Sequence, residues 1–125
     1  MEKVEAEPLY LRALAIREQQ LGSEHPDTAF SLHDLAHLYA RQGKFAEAES
    51  LYQRALAIRV QQLGPEHPDT QNTQERYEGL LQQKATLKVE AYSLLNAIVF
   101  DLGYNPISPQ EDSIDEDLVP LSSIL

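Results

Sequence analysis

Residues 9–28, LYLRALAIREQQLGSEHPDT, recur as residues 51–70, LYQRALAIRVQQLGPEHPDT, with seventeen of twenty positions identical at a spacing of 42 residues. Only Leu11/Gln53, Glu18/Val60 and Ser23/Pro65 differ. A period of this length marks a chain built by stacking copies of one small unit, none of which can bury its apolar face alone. The repeat therefore decides the architecture before any single residue is considered.

Within one period, glycine and proline set the punctuation. Gly22 and Gly64 each follow the last apolar residue of a helical pattern, where a left-handed C-terminal cap is expected. Pro26 and Pro68 come four residues later, with Asp27 and Asp69 beside them, the composition of a helix start. Between them Leu32, Leu35, Ala36 and Tyr39, then Phe45, Ala48, Tyr52, Ala55 and Leu56, recur at steps of three and four, broken only at Arg41-Gln42-Gly43-Lys44. That pattern predicts a helix, a tight turn and a second helix whose apolar stripes face each other.

The run SLHDLAHLYARQGKFAEAESLYQRALAI resembles the tetratricopeptide repeat, with Leu32, Leu35, Ala36, Tyr39, Gly43, Phe45, Ala48, Tyr52 and Ala55 on the signature positions. The 42-residue period and the LGxEHPDT linker resemble the long-helix version found in kinesin light chains. The resemblance implies an all-α, right-handed superhelical stack of antiparallel hairpins, here of about five helices over residues 1–102. Residues 3–21 correspond to a second helix whose first helix would lie before Met1, residues 26–62 form a complete repeat, and residues 68–102 a degenerate terminal one. Pro8 is expected to bend the first of these helices. After Pro68 the signature decays, with Gln74, Glu78 and Ala85 where Leu32, Ala36 and Gly43 stand one period earlier. A final helix is expected over about 84–102, and without the turn glycine it can run together with the one before it. Residues 103–125 hold three prolines and five acids without a period, and read as an acidic flexible tail.

Charge and composition narrow the function. Twenty acidic against ten basic residues leave a net charge of −10, which disfavours nucleic acid and anionic membranes. With no cysteine, neither disulfides nor thiolate chemistry is available. No apolar run approaches the roughly 20 residues that span a bilayer, so the chain reads as soluble and cytoplasmic. His33 and His37 share a helix face, but two imidazoles beside Asp34 fall short of a metal site, and no phosphate loop or catalytic constellation occurs. Neither an enzyme activity nor a cofactor is expected. His25 and His67 recur with the linker and are expected to brace it.

The resemblance also implies a concave face lined by the first helix of each hairpin. In this phase its exposed positions are Phe30, His33, Asp34, His37 and Arg41, followed by Asn72, Glu75, Arg76, Gly79 and Gln82. A protein or peptide ligand is the partner this groove implies, with any pH dependence near the ordinary histidine value of about 6.5. Where some members of the family grip a C-terminal carboxylate with Lys and Asn, this chain has His33 and His37, and Arg76 where they have Asn, so that specificity does not carry over. The alternative is self-assembly, with the stripe of Leu9, Tyr10, Ala13 and Leu14 seeking a second copy through the N-terminal helix.

Overall fold

The computed structural model describes residues 5–108, and in them the chain forms four α-helices: α1 (Ala6–Leu21), α2 (Pro26–Arg41), α3 (Phe45–Leu63) and α4 (Pro68–Asp101). The backbone divides into two compact units, the first through Leu81 and the second from Gln82. Residues 109–125, which hold all five acids of the expected tail, lie outside the described residues.

In the first unit α2 packs against both α1 and α3. Small residues set the approach: Ala29, Ala36, Ala48 and Ala55 are wholly buried, and Leu32, Tyr52, Ile58 and Leu80 fill the space between them. An alanine at such a point lets two helix backbones close in, and the neighbouring leucine or tyrosine interlocks across the gap. Each large side chain so buried contributes about 1.5–3 kcal/mol.

The turn between α2 and α3 follows from Gly43. Its φ is +81°, and the flanking amides close a paired cap, Lys44 N–H to the Tyr39 carbonyl at 2.9 Å and Gly43 N–H to the Ala40 carbonyl at 3.1 Å. Gly22 and Gly64 differ from the left-handed cap expected of them. Their φ values are +95° and +91°, but ψ is 162° and 158°, an extended region that is essentially glycine's alone. Pro8 is the third residue of α1, inside the first turn, where its missing N–H would have had no helical partner.

The count is four helices rather than about five because α4 does not turn at residues 82–85. Ala85 occupies the register of Gly43, and a side chain there disfavours the positive φ that ended α2, so the helix continues. In the second unit the chain returns at Gly103, φ +85°, through a cap of the same kind, with Tyr104 N–H on the Val99 carbonyl at 3.0 Å. Ile107 then packs on Tyr92 and Val99 and is 2% exposed. The Asn96 amide brackets it, donating to the Ile107 carbonyl at 2.9 Å and accepting from the Ile107 N–H at 2.6 Å. Residues 104–107 thus belong to the folded core of that unit rather than to the flexible segment expected from 103 onward, because one buried isoleucine and two amide bonds hold them.

Candidate interaction surface

The linker motif comes first, since it orients the helices that carry the surface. His25 precedes the α2 proline, and its Nδ1 accepts the Asp27 N–H at 3.0 Å; His67 does the same for Asp69 at 3.0 Å. Each imidazole thus caps a helix start in the place usually taken by Ser or Asp. Thr28 Oγ1 ties the linker shut by donating to the Gly22 carbonyl at 2.7 Å.

A second repeated device lies beneath. Arg17 Nη1 donates to the Asp27 carbonyl at 3.3 Å and to Ser31 Oγ at 2.8 Å. Forty-two residues on, Arg59 Nη1 donates to the Asp69 carbonyl at 3.1 Å and to Thr73 Oγ1 at 2.7 Å. Arg17 remains partly open, its guanidinium 5.5 Å from the centre of the Phe30 ring. Arg59 is buried, its Nε has no hydrogen-bond partner, and burial lowers its pKa against the opposing pull of Asp69 and Asp34.

The expected surface residues divide on this framework. Phe30 is 49% exposed, and Arg41, Asn72, Glu75 and Arg76 reach solvent, while Asp34 and His37 are half-buried. His33 is not on the surface. It is 8% exposed, packs edge-on against Tyr52 at 5.5 Å between ring centres, and shares a 3.1 Å hydrogen bond between Nδ1 and Thr73 Oγ1. Burial first, then Arg59, Arg76 and His37, lower its pKa to about 4 against the weaker opposing effect of Asp69. The expected titration near 6.5 therefore does not apply to it. Gln82 belongs to the second unit and is exposed there.

The remaining groups act on one another. Burial lowers the His37 pKa, and Arg76 and Arg41 lower it further against the pull of Asp34. The Asp34 carboxyl is raised by burial, with Arg59, Arg17 and His37 opposing. Arg41 and Arg76 thus make the surface around a neutral His37 locally positive on a chain whose net charge is −10. Arg41 also borders a depression with Glu7, Leu38 and Lys44, where Tyr39 Oη donates to Glu7 Oε1 at 2.8 Å and Lys44 Nζ lies 3.9 Å from Glu7 Oε2. Among the described residues no group of three or more His, Cys, Asp or Glu side chains could hold a metal ion.

A family model described as tetratricopeptide repeat matches residues 4–61 and again residues 33–84. The chain belongs to the tetratricopeptide repeat family. No curated protein matches it. Tetratricopeptide repeats generally serve as non-catalytic scaffolds for protein–protein interaction, and no helix among the described residues is long and apolar enough to cross a membrane.

Two features of this tetratricopeptide stack escaped the sequence reading. The Arg59–Thr73–His33 network had a signal, since a cation inside the apolar LAIR run recurs at the period together with a hydroxyl at Ser31 and Thr73. An apolar groove of about 520 Å³ between α1 and α3, floored by Leu35 and Tyr39 and walled by Leu11, Leu14 and Leu51, had only a faint one. Leu11 is one of the three positions at which the two copies differ.

Proposed function

We propose that this protein is a binding scaffold whose surface on α2 and the first turns of α4 takes an extended, acidic protein or peptide segment. The observation that carries the reading is the convergence of Arg41 and Arg76 on His37, whose pKa is lowered by burial first and then by these two arginines, so that it stays neutral between them. In an acidic chain such a cluster is relieved by an anionic ligand, and Phe30 under Arg17 adds flat contact area beside it. Asp34 and Glu75 at the same surface limit how much charge it tolerates and favour an interrupted acidic sequence over a uniform one.

A synthetic peptide of residues 110–125, which interleaves five acids with Ile114, Leu118, Val119 and Leu121, is a suitable probe. Its binding to the chain ended at Ser108 should weaken with salt, and Arg41→Glu with Arg76→Glu should abolish it without lowering the melting temperature. Equal binding by the double variant rejects the charged surface.

A second reading rests on a separate observation. Tyr10 and Ile16 of α1 are 37% and 44% exposed, whereas Tyr52 and Ile58, their counterparts in α3, are each 2% exposed. That open stripe supports association with a second copy through α1. Ile16→Lys should then lower the solution mass, and an unchanged mass rejects it.

A further inference from the structure

The second unit carries an apolar helix stripe open to solvent. Leu94 is 73% exposed, Ile98 59% and Leu87 43%. In the 42-residue register Leu87, Leu94 and Ile98 stand where Phe45, Tyr52 and Leu56 lie on α3, all buried or half-buried. The stripe therefore keeps the chemistry of an inside face.

Its usual cover is missing from the sequence. α2 meets α3 with Ala29, Leu32 and Ala36, and the same register in α4 holds Gln71, Gln74 and Glu78. Gln74 Nε2 already donates to Glu78 Oε1 at 3.1 Å. Closing α4 into a hairpin would press two amides and a carboxylate onto leucines, which is unfavourable without new partners. Another side of the same helix is taken, since Tyr92, Leu95 and Val99 pack with Tyr104 and Ile107.

Leu87, Ala91, Leu94 and Ile98 are spaced four, three and four, the seam of a two-helix contact, and the same alternation continues to Lys84 at one end and Asp101 at the other. We propose that this seam is a homodimer interface in which α4 of a second copy lies antiparallel. One register pairs all six positions: Leu87 with Ile98, Ala91 with Leu94, and Lys84 with Asp101, each twice by symmetry. Small faces large in the middle, and opposite charges close both ends. A parallel pair would instead set Lys84 against Lys84 and Asp101 against Asp101, so charge selects the orientation. The interface is independent of the α2–α4 binding surface.

The test uses the full chain. Sedimentation should show a dimer that gains with concentration, and Leu94→Asp should make it monomeric while helicity and binding of the acidic peptide persist. Lys84→Glu or Asp101→Lys alone should weaken the dimer about tenfold, and the two together should restore it, with helicity measured on each variant to separate a loss of folding from a loss of pairing. The chain has no cysteine, so orientation is read directly by mixing Lys84→Cys with Asp101→Cys chains, which should cross-link to each other, while Lys84→Cys alone should not. A monomer at every concentration overturns the proposal. So does a dimer that survives Leu94→Asp but is lost in Ile16→Lys, one that forms only when residues 109–125 are removed, or a cross-link in Lys84→Cys alone.

Discussion

Arg17 lies partly open over Phe30, and its counterpart Arg59 is sealed beneath His33 and Thr73, although the residues around the two arginines are nearly the same in sequence. The difference is one neighbouring helix, and it makes Thr73 the residue on which the buried network depends. Its hydroxyl accepts from Arg59 and bonds His33, so Thr73→Val should cost about 1–3 kcal/mol by leaving both without that partner. Thr73→Ser, which restores what Ser31 supplies in the first copy, should cost distinctly less; equal losses in urea denaturation would show that only the methyl group matters. His33 gives a second prediction. Its folded pKa of about 4 lies below the unfolded 6.5, so the unfolded chain takes up the proton first as pH falls. Stability is therefore lost between about pH 6.5 and 4, on the order of 3 kcal/mol, with no further loss from this group below that window. Melting temperatures of wild type and His33→Gln at pH 7 and 5 check it: the wild type should fall further, and parallel losses would assign the effect to the carboxylates. The candidate surface was legible in part at this scale. Phe30, Arg41 and Arg76 are exposed as the family resemblance and the helical phase imply, whereas His33 was misplaced because Thr73 reaches it from another helix, forty residues away.

At the scale of the element, glycine divides into two opposite cases. Gly64 holds φ +91° and ψ 158° with no atom within 4 Å of an added Cβ, so Gly64→Ala would be strained by backbone conformation and not by crowding. The expected loss is about 1–3 kcal/mol. Gly79 lies inside α4, exposed, with equally open space, and Gly79→Ala should stabilise by about 1 kcal/mol. Denaturation midpoints moving in opposite directions confirm the distinction, and a loss at Gly79 would place a partner against that face. The same logic explains α4 itself, because replacing the cap glycine by Ala85 removes the stop that produced a hairpin one period earlier.

Over the whole molecule, stability concentrates where several helices meet at one side chain. Tyr52 of α3 shares one buried cluster with Ala36 of α2 and Leu80 of α4. Tyr52→Ala should cost about 3–5 kcal/mol, a large share of what a domain of this size holds in reserve. Ala36→Leu should cost about 1–3 kcal/mol by forcing the same helices apart. Hydrogen exchange should then speed up together at Leu32 and Leu80; acceleration at one alone would mean that the helices of this unit do not unfold cooperatively.

What the sequence by itself determined is local and periodic: the 42-residue unit, the helix starts at Pro26 and Pro68, the Gly43 turn, the alanine stripe and the repeat family. Each is written in residues within a few turns of one another, where backbone conformation and side-chain spacing act directly. Only the tertiary structure decided that Tyr10 stays open while Tyr52 is buried, that His33 is sealed by Thr73, and that Ile107 is locked under Asn96. The physical reason is that burial and pKa belong to the neighbourhood and not to the residue. Two nearly identical segments acquire different surfaces as soon as different helices stand beside them.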